Sequence, residues 1–410
     1  MGHVEDRWFN TISVPGGKSR RERTSRYGKG MRYRVRYITP DGRELSKSFP
    51  DRAKGDAEAF LASVETDKRR GTFLDPAGAL TPFDEHAERW LRIHRVKASS
   101  RETAEIRVRT HIIPFFKKRA LGSIKPSMVT EWDNGLIGVL DVSTRSVAFS
   151  FLSSIFTLAV DDGLIAKNPC SAKSVTQPQP VPRKVVPWTM KRTAAVRAAL
   201  PARYRPMVDL GVGCGLRQGE IFGIAPEDFD FDAGWLTVQR QVKRVRSRLV
   251  FDLPKNDKDR QTPLPDSVAK AIKAHMKAIP PVPVTLPWED PFTGEPVSVP
   301  LVFTTFRGNA INRSTFDDLA WRPALLAVGV VPTRQTGMHA LRHRFASSLL
   351  DAGETIKAIA EWLGHSDPGF TLRTYTHLME TSQGRARDAI DSLFDGPDGW
   401  HGPATAQREE

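Results

Sequence analysis

Cysteine is almost absent: Cys170 and Cys214 are the two in 410 residues. A disulfide framework is therefore excluded, and a reducing compartment fits the composition. No uninterrupted apolar run approaches about eighteen residues, so no segment reads as a membrane span. The opening MGHVEDRWFNTISV has neither the apolar core nor the small-residue cleavage site of a signal peptide. Acid is short relative to base, 47 Asp and Glu against 61 Lys and Arg, which leaves a formal charge of +14. A charge this far from neutral points to a polyanionic partner, nucleic acid foremost. Hydrophobic residues at 40% and charged residues at 26% are ordinary for a globular chain. The length exceeds what one hydrophobic core usually covers, so two or three domains are expected.

Residues 1–75 read as a small basic α+β module. RYRVRYI, Arg32 to Ile38, alternates basic and apolar residues as a half-exposed strand does. Pro40-Asp41-Gly42 supplies turn chemistry, and Arg43 to Phe49 returns as the second strand. A third strand is expected around Trp8 to Val14, and a helix over Asp56 to Arg69. Between Lys18 and Arg34 stand eight basic residues, Lys18, Arg20, Arg21, Arg23, Arg26, Lys29, Arg32 and Arg34, against one acid, Glu22. Beside a small sheet such a stretch suits phosphate contacts; its plainer reading is a solvated loop.

Residues 76–175 read as all-helical, with helices at Pro82–Arg95, Arg101–Ile112, Ser127–Leu136 and Ser143–Asp161. A proline-rich linker follows at 176–188. Residues 189–395 read as a mainly helical α+β domain. Its strands are expected at Trp235–Val242, Leu249–Leu253 and Gln261–Leu264, with a proline-rich excursion at 280–300 and a last helix over Leu372–Thr381. The tail 396–410 has little to bury and reads as disordered.

The chemistry-bearing residues fall in this last domain. Arg217 stands in GVGCGLRQGE at a helix-to-helix junction, with Glu220 one turn later. Lys255, in DLPKNDKDRQTPLP, is placed at the tip of a hairpin, with Lys258 and Arg260 close by. His339 and Arg342 share a helix face at a spacing of three. His365 follows the helix-ending Gly364, and Tyr375 comes ten residues later in TLRTYTH. Two guanidiniums can clamp the non-bridging oxygens of a phosphodiester and stabilise a pentacoordinate state. A phenol, with an ordinary pKa of about 10, needs a base or an electropositive pocket before it attacks. The set lacks the clustered carboxylates that would hold magnesium. His339 and His343, at i and i+4, have half of a zinc spacing, but no Glu follows His339 and Arg342 intervenes, so His343 is read as a helix-packing residue.

GCGLRQGE, the hairpin lysine, HALRH and LGHSDPGFTLRTYTH together resemble, in order and approximate spacing, the active-site boxes of the tyrosine recombinases, the lambda-integrase family. The boxes span residues 211–377. The resemblance implies that Tyr375 is the nucleophile of a 3′-phosphotyrosine intermediate and that Arg217 and Arg342 bind the scissile phosphate. It also implies that Lys255 is the general acid, that His339 and His365 assist proton transfer and phosphate binding, and that Glu220 supports the site. By the same resemblance 76–175 is a core-type DNA-binding domain and 1–75 an arm-type one. The implied protein is a site-specific integrase of a phage or mobile element in the bacterial cytoplasm, a homotetramer on double-stranded DNA. It would need no cofactor and no metal, and would work with a directionality factor and a DNA-bending protein. Two rivals remain open here: a type IB topoisomerase-like enzyme, and a non-catalytic DNA-binding protein with the same fold.

Overall fold

The structure is a computed structural model of the chain. It describes residues 2–12, 20–40, 42–71, 73–74, 78–181, 185–255 and 258–375, with 387, 390, 391 and 394. Two compact units divide these residues: those up to Val96 with Thr103–Val181, and Lys97–Glu102 with those from 185 onward. The dividing point after Val181 falls in the proline-rich stretch, and most of the tail lies outside the described residues.

The first unit holds two hydrophobic cores. Strands β1 (His3–Asp6), β4 (Tyr33–Ile38) and β5 (Glu44–Phe49) make an antiparallel sheet in the order β1-β4-β5. Strict alternation along β4 buries Tyr33, Val35 and Tyr37 under helix α1 (Lys54–Arg70) and turns Arg34 and Arg36 to the other face. The third strand is not the expected one. β1 lies earlier, and β2 (Phe9–Ile12) pairs instead with β3 (Arg20–Arg23) in a separate ladder. The second core gathers α2 (Phe83–Ile93), the part of α3 (Ala98–Arg107) from Thr103 onward, α4 (Ile113–Phe116), α5 (Pro126–Gly135) and α6 (Val142–Asp161) around Phe83, Phe116, Trp132 and Phe156. The helix expected over 101–112 is interrupted by a π turn at Val108–Ile112. Pro114 follows at once, and its missing N–H and bulky ring force the preceding turn to widen.

The second unit contains α7 (Met190–Ala199), α8 (Arg205–Gly213) and α9 (Gln218–Phe222), then β6 (Phe229–Asp230) and β7 (Trp235–Val238). β8 (Gln241–Val245), β9 (Arg248–Asp252), β10 (Arg260–Pro263) and α10 (Asp266–Ala278) follow, with β11 (Val282–Pro287), β12 (Pro296–Leu301), α11 (Arg313–Phe316) and α12 (Arg322–Ala327). The chain closes its described part with α13 (His339–Asp351), α14 (Ile356–Leu363) and α15 (Pro368–Tyr375). The single strand expected at 235–242 is two. At Gln239 and Arg240 the chain leaves the β10-β7-β6 sheet for the β8–β9 ladder, because both side chains turn to the buried Asp228: Gln239 Nε2 donates at 2.6 Å and Arg240 Nη1 at 2.9 Å. The excursion at 280–300 is a hairpin of its own, β11 with β12. α15 begins four residues before the expected Leu372, and residues past 375 of that expected helix lie outside the described set. The architecture is thus a small α+β module, an all-α domain and a mainly helical α+β domain.

Candidate active site

Helix α13 carries the centre of the site. His339, Arg342 and His343 occupy positions i, i+3 and i+4, so Arg342 and His343 flank His339 on either side of one sector of the helix. Arg342 is 1% exposed, and its guanidinium runs inward between two other segments. Nη1 donates to the Gly215 carbonyl at 2.7 Å, while Nη2 donates to the Leu363 carbonyl and to His365 Nε2 at 3.2 Å. Gly215 is obligatory here: its φ is +66°, and a Cβ would come within 2.5 Å of Phe345. The GCG turn before Arg217 therefore brings a backbone carbonyl onto Arg342.

Arg217 caps the start of α9. Its backbone N–H donates to Glu220 Oε2 at 2.7 Å and its Nη1 to Glu220 Oε1 at 2.8 Å. Glu220 is fully buried and receives a second cation, Arg260, through two parallel bonds of 2.9 and 2.7 Å. Burial alone would raise this carboxyl, but Arg260, then Arg217 and Arg342, overcome it and hold Glu220 at about 2. Arg260 Nε also donates to the Trp362 carbonyl at 2.8 Å, at the end of α14. One carboxylate thus faces three guanidiniums, which leaves an excess of positive charge waiting for an anion.

Gly364, in the left-handed region, closes α14, and the His365 amide bonds back to the Ala360 carbonyl at 2.9 Å. Since an arginine only donates, Nε2 of His365 accepts from Arg342 and Nδ1–H faces the Thr371 hydroxyl at 2.7 Å. Burial first, then Arg342, Arg217, Arg260 and Lys255, pushes His365 down to about 3. His339 stands at the start of α13; desolvation of its ring by its neighbours, then His343 and the arginines, lowers it. Tyr375 ends α15 with its ring 2% exposed among Phe345, Leu350, Ile359 and Leu363. Burial raises its hydroxyl to about 12, with Arg342 working the other way. That hydroxyl lies 2.7 Å from Nδ1 of His343.

The structure therefore gathers Arg217, Glu220, His339, Arg342, His365 and Tyr375 into one cluster. Lys255 stands apart from the hairpin expected for it. β9 pairs with β8 and β10 with β7, so the lysine sits on an exposed turn linking two different sheets, within electrostatic reach of His365. Two members were missed. His343, read as a packing residue, holds the Tyr375 hydroxyl. Arg260, read as a neighbour of the turn lysine, is the buried partner of Glu220; Arg-Gln-Thr is polar throughout, so no alternation of apolar and polar residues in the sequence marks Arg260 as buried.

In the first unit, Arg20, Arg21, Arg23, Arg26, Lys29 and Arg34 are solvent-accessible to varying degrees, while Lys18 lies outside the described residues. Arg32 is committed internally, to Asp6 at 2.9 Å and Asp51 at 3.0 Å. Arg23 stacks over Tyr27 at 4.1 Å from the ring centre.

The chain is similar to known proteins over most of its length. The phage integrase family description matches residues 187–381, and the N-terminal SAM-like domain of phage integrases matches 83–137. A tyrosine recombinase XerC-like protein of Caldanaerobacter subterraneus is 27% identical over 380 residues, covering 86% of this chain and 93% of its own. The integrase of Mycobacterium phage D29 is 26% identical, with 86% and 91% covered. Among solved structures, the Tn1549 transposon integrase bound to a circular-intermediate DNA superposes with a TM-score of 0.63 at 22% identity, over 77% of this chain and all of that one. A lambda integrase tetramer bound to a Holliday junction gives 0.54 at 16% identity, over 83% and 91%. The fold and the arginine–histidine–tyrosine cluster define a tyrosine-type site-specific recombinase. The chain belongs to the phage integrase family.

Proposed function

We propose that Tyr375 attacks a DNA phosphodiester held by Arg217 and Arg342 and becomes joined to the 3′ phosphate. The observation that carries this reading is Arg342, buried between the Gly215 and Leu363 carbonyls, which puts the Arg217 segment and His365 around one guanidinium, with Tyr375 within its electrostatic reach. The two arginines neutralise the pentacoordinate state, with His365 and His339 beside the same oxygens. Glu220 keeps Arg217 aimed, and Lys255 protonates the leaving 5′ oxygen. Because the phosphotyrosine conserves the energy of the bond it replaces, the 5′ hydroxyl of a second strand can reverse the step.

On this reading residues 76–175 and 189–395 grip the crossover site, with 176–188 as their linker, and the basic module 1–75 holds separate arm sites. The working form is a homotetramer on two duplexes, integrating or excising a mobile element in the bacterial cytoplasm. A directionality factor and a DNA-bending protein complete that assembly. Solved relatives bound to transposon DNA and to a Holliday junction support the DNA partner and the fourfold assembly.

Tyr375→Phe tests the centre of the proposal, since it deletes one oxygen and keeps the ring. The variant should bind a duplex from the DNA flanking the coding region as the parent does, yet leave no covalent adduct on a denaturing gel. An adduct with the Phe variant would remove Tyr375 as nucleophile.

A further inference from the structure

Resting on the reading of Tyr375 as nucleophile, we infer that His343 is a further catalytic residue, the base that aims the phenol and takes its proton. The geometry is direct. Nδ1 of His343 is 2.7 Å from the Tyr375 hydroxyl, although the two residues lie on α13 and α15 and are 32 apart in sequence. A candidate base must reach the proton it removes, and this one does. The other two histidines are differently engaged. His365 has Arg342 on Nε2 and Thr371 on Nδ1. His339 meets His343 edge to face, ring centres 4.6 Å apart, at the solvent side of α13.

Position on the helix explains the division of labour. Arg342 and His343 are adjacent, so their side chains diverge by about 100° around α13. Arg342 points toward the Gly215 and Leu363 carbonyls, and His343 toward the α15 face where the tyrosine ring is packed. The phosphate clamp and the nucleophile's partner thus come from consecutive residues of one rigid helix. His343 is partly buried and its ring is pushed down to about 4, by burial first and Arg342 second, so it is neutral and able to accept near pH 7.

The step balances as follows. The Oη–H bond of Tyr375 breaks and an Nδ1–H bond forms on His343. The freed oxygen pair makes the Oη–P bond, and the P–O5′ bond breaks with its electron pair going to the 5′ oxygen. That oxygen takes the proton held at Lys255. The imidazolium left beside Arg342 is offset by the added negative charge of the pentacoordinate phosphate. Rejoining runs in reverse, with His343 returning its proton to Tyr375.

The test uses the full-length protein and a duplex from the DNA flanking the coding region, nicked beside the cleavage point so that adducts accumulate. Single-turnover adduct formation is followed for the parent, His343→Ala and His343→Asn, with duplex binding measured by gel shift. Asparagine keeps an acceptor near the Nδ1 position but takes no proton. Both variants should bind the duplex as the parent does and cleave about 10²–10⁴-fold more slowly, the usual range for one general base. Parental rate in His343→Asn shows that the ring only orients the hydroxyl, and parental rate in His343→Ala shows that it does neither. Either result overturns the inference while leaving Tyr375 as nucleophile. Absence of an adduct from the parent itself strikes the proposed function, and this inference with it.

Discussion

Arg260 shows how one side chain can set the geometry of residues it does not resemble in role. Its guanidinium is bonded to both oxygens of Glu220 and to the Trp362 carbonyl, so it ties the Arg217 segment to the end of α14. A lysine carries the same charge but lacks the planar fork that serves a carboxylate and a carbonyl together. Arg260→Ala leaves Glu220 buried with half its compensation, a loss of about 3–5 kcal/mol for a broken buried pair. Calorimetry should therefore show a lower melting temperature, and Arg260→Lys should recover only part of it; full recovery by lysine would mean that charge alone matters. Lys255 makes a contrasting case. It is exposed and acts, on the proposed mechanism, through one proton. Lys255→Ala should slow cleavage by about 10²–10⁴-fold, and sulfur in place of the bridging 5′ oxygen should restore most of the rate, because a thiolate leaves unprotonated. Equal slowing on both substrates would reduce the lysine to a phosphate contact.

Elements meet at the site through close backbone approach. α8 lies against α13, and the turn after α8 delivers the Gly215 carbonyl to Arg342. Gly215→Ala forces an alanine into the left-handed region and drives its Cβ into Phe345. The expected cost is about 1–3 kcal/mol for the backbone alone, with more from the clash. Thermal unfolding should shift down, and adduct formation should fall further than stability accounts for, because Arg342 loses its carbonyl. An alanine variant with parental melting and cleavage would show that the turn tolerates movement. The π turns at Val108–Ile112 and Asp317–Trp321 share a cause: each runs into a helix whose second residue is proline, Pro114 or Pro323.

For the whole molecule, the burial of the site's rings, with cations beside them, has a consequence for pH. His343 and His365 are held at about 4 and about 3, below the ordinary value of about 6.5. On acidification the unfolded chain takes up protons on these rings while the folded chain resists, so the unfolded state binds more protons and stability falls as pH falls. Glu220, held at about 2, adds loss in the same direction at lower pH, where the unfolded carboxyl protonates first. The melting temperature of the unit that carries the site should decline steadily from about pH 7 to about pH 5 in differential scanning calorimetry. A flat profile over that interval would mean that the rings titrate normally in the folded chain.

Much of this was already written in the residue order. Alternation in RYRVRYI marked β4, and the boxes around Arg217, Arg342, His365 and Tyr375 marked residues that the fold brings together, because local pattern and side-chain type are properties of the chain itself. The helical domain was likewise readable from apolar periodicity and from proline and glycine stops. Tertiary structure decided the partnerships. An i, i+4 pair such as His339 and His343 reads equally as metal ligand or packing until α15 arrives to put a phenol against one of them. Arg260 reads as one more base in a charged turn until the strand it opens turns it inward onto Glu220. Strand pairing was hidden for the same reason: whether 235–242 is one strand or two depends on Asp228, a buried acceptor in another segment. Side chains brought together across long sequence separations are selected by burial and by the need to satisfy every buried charge, and no local window contains that information.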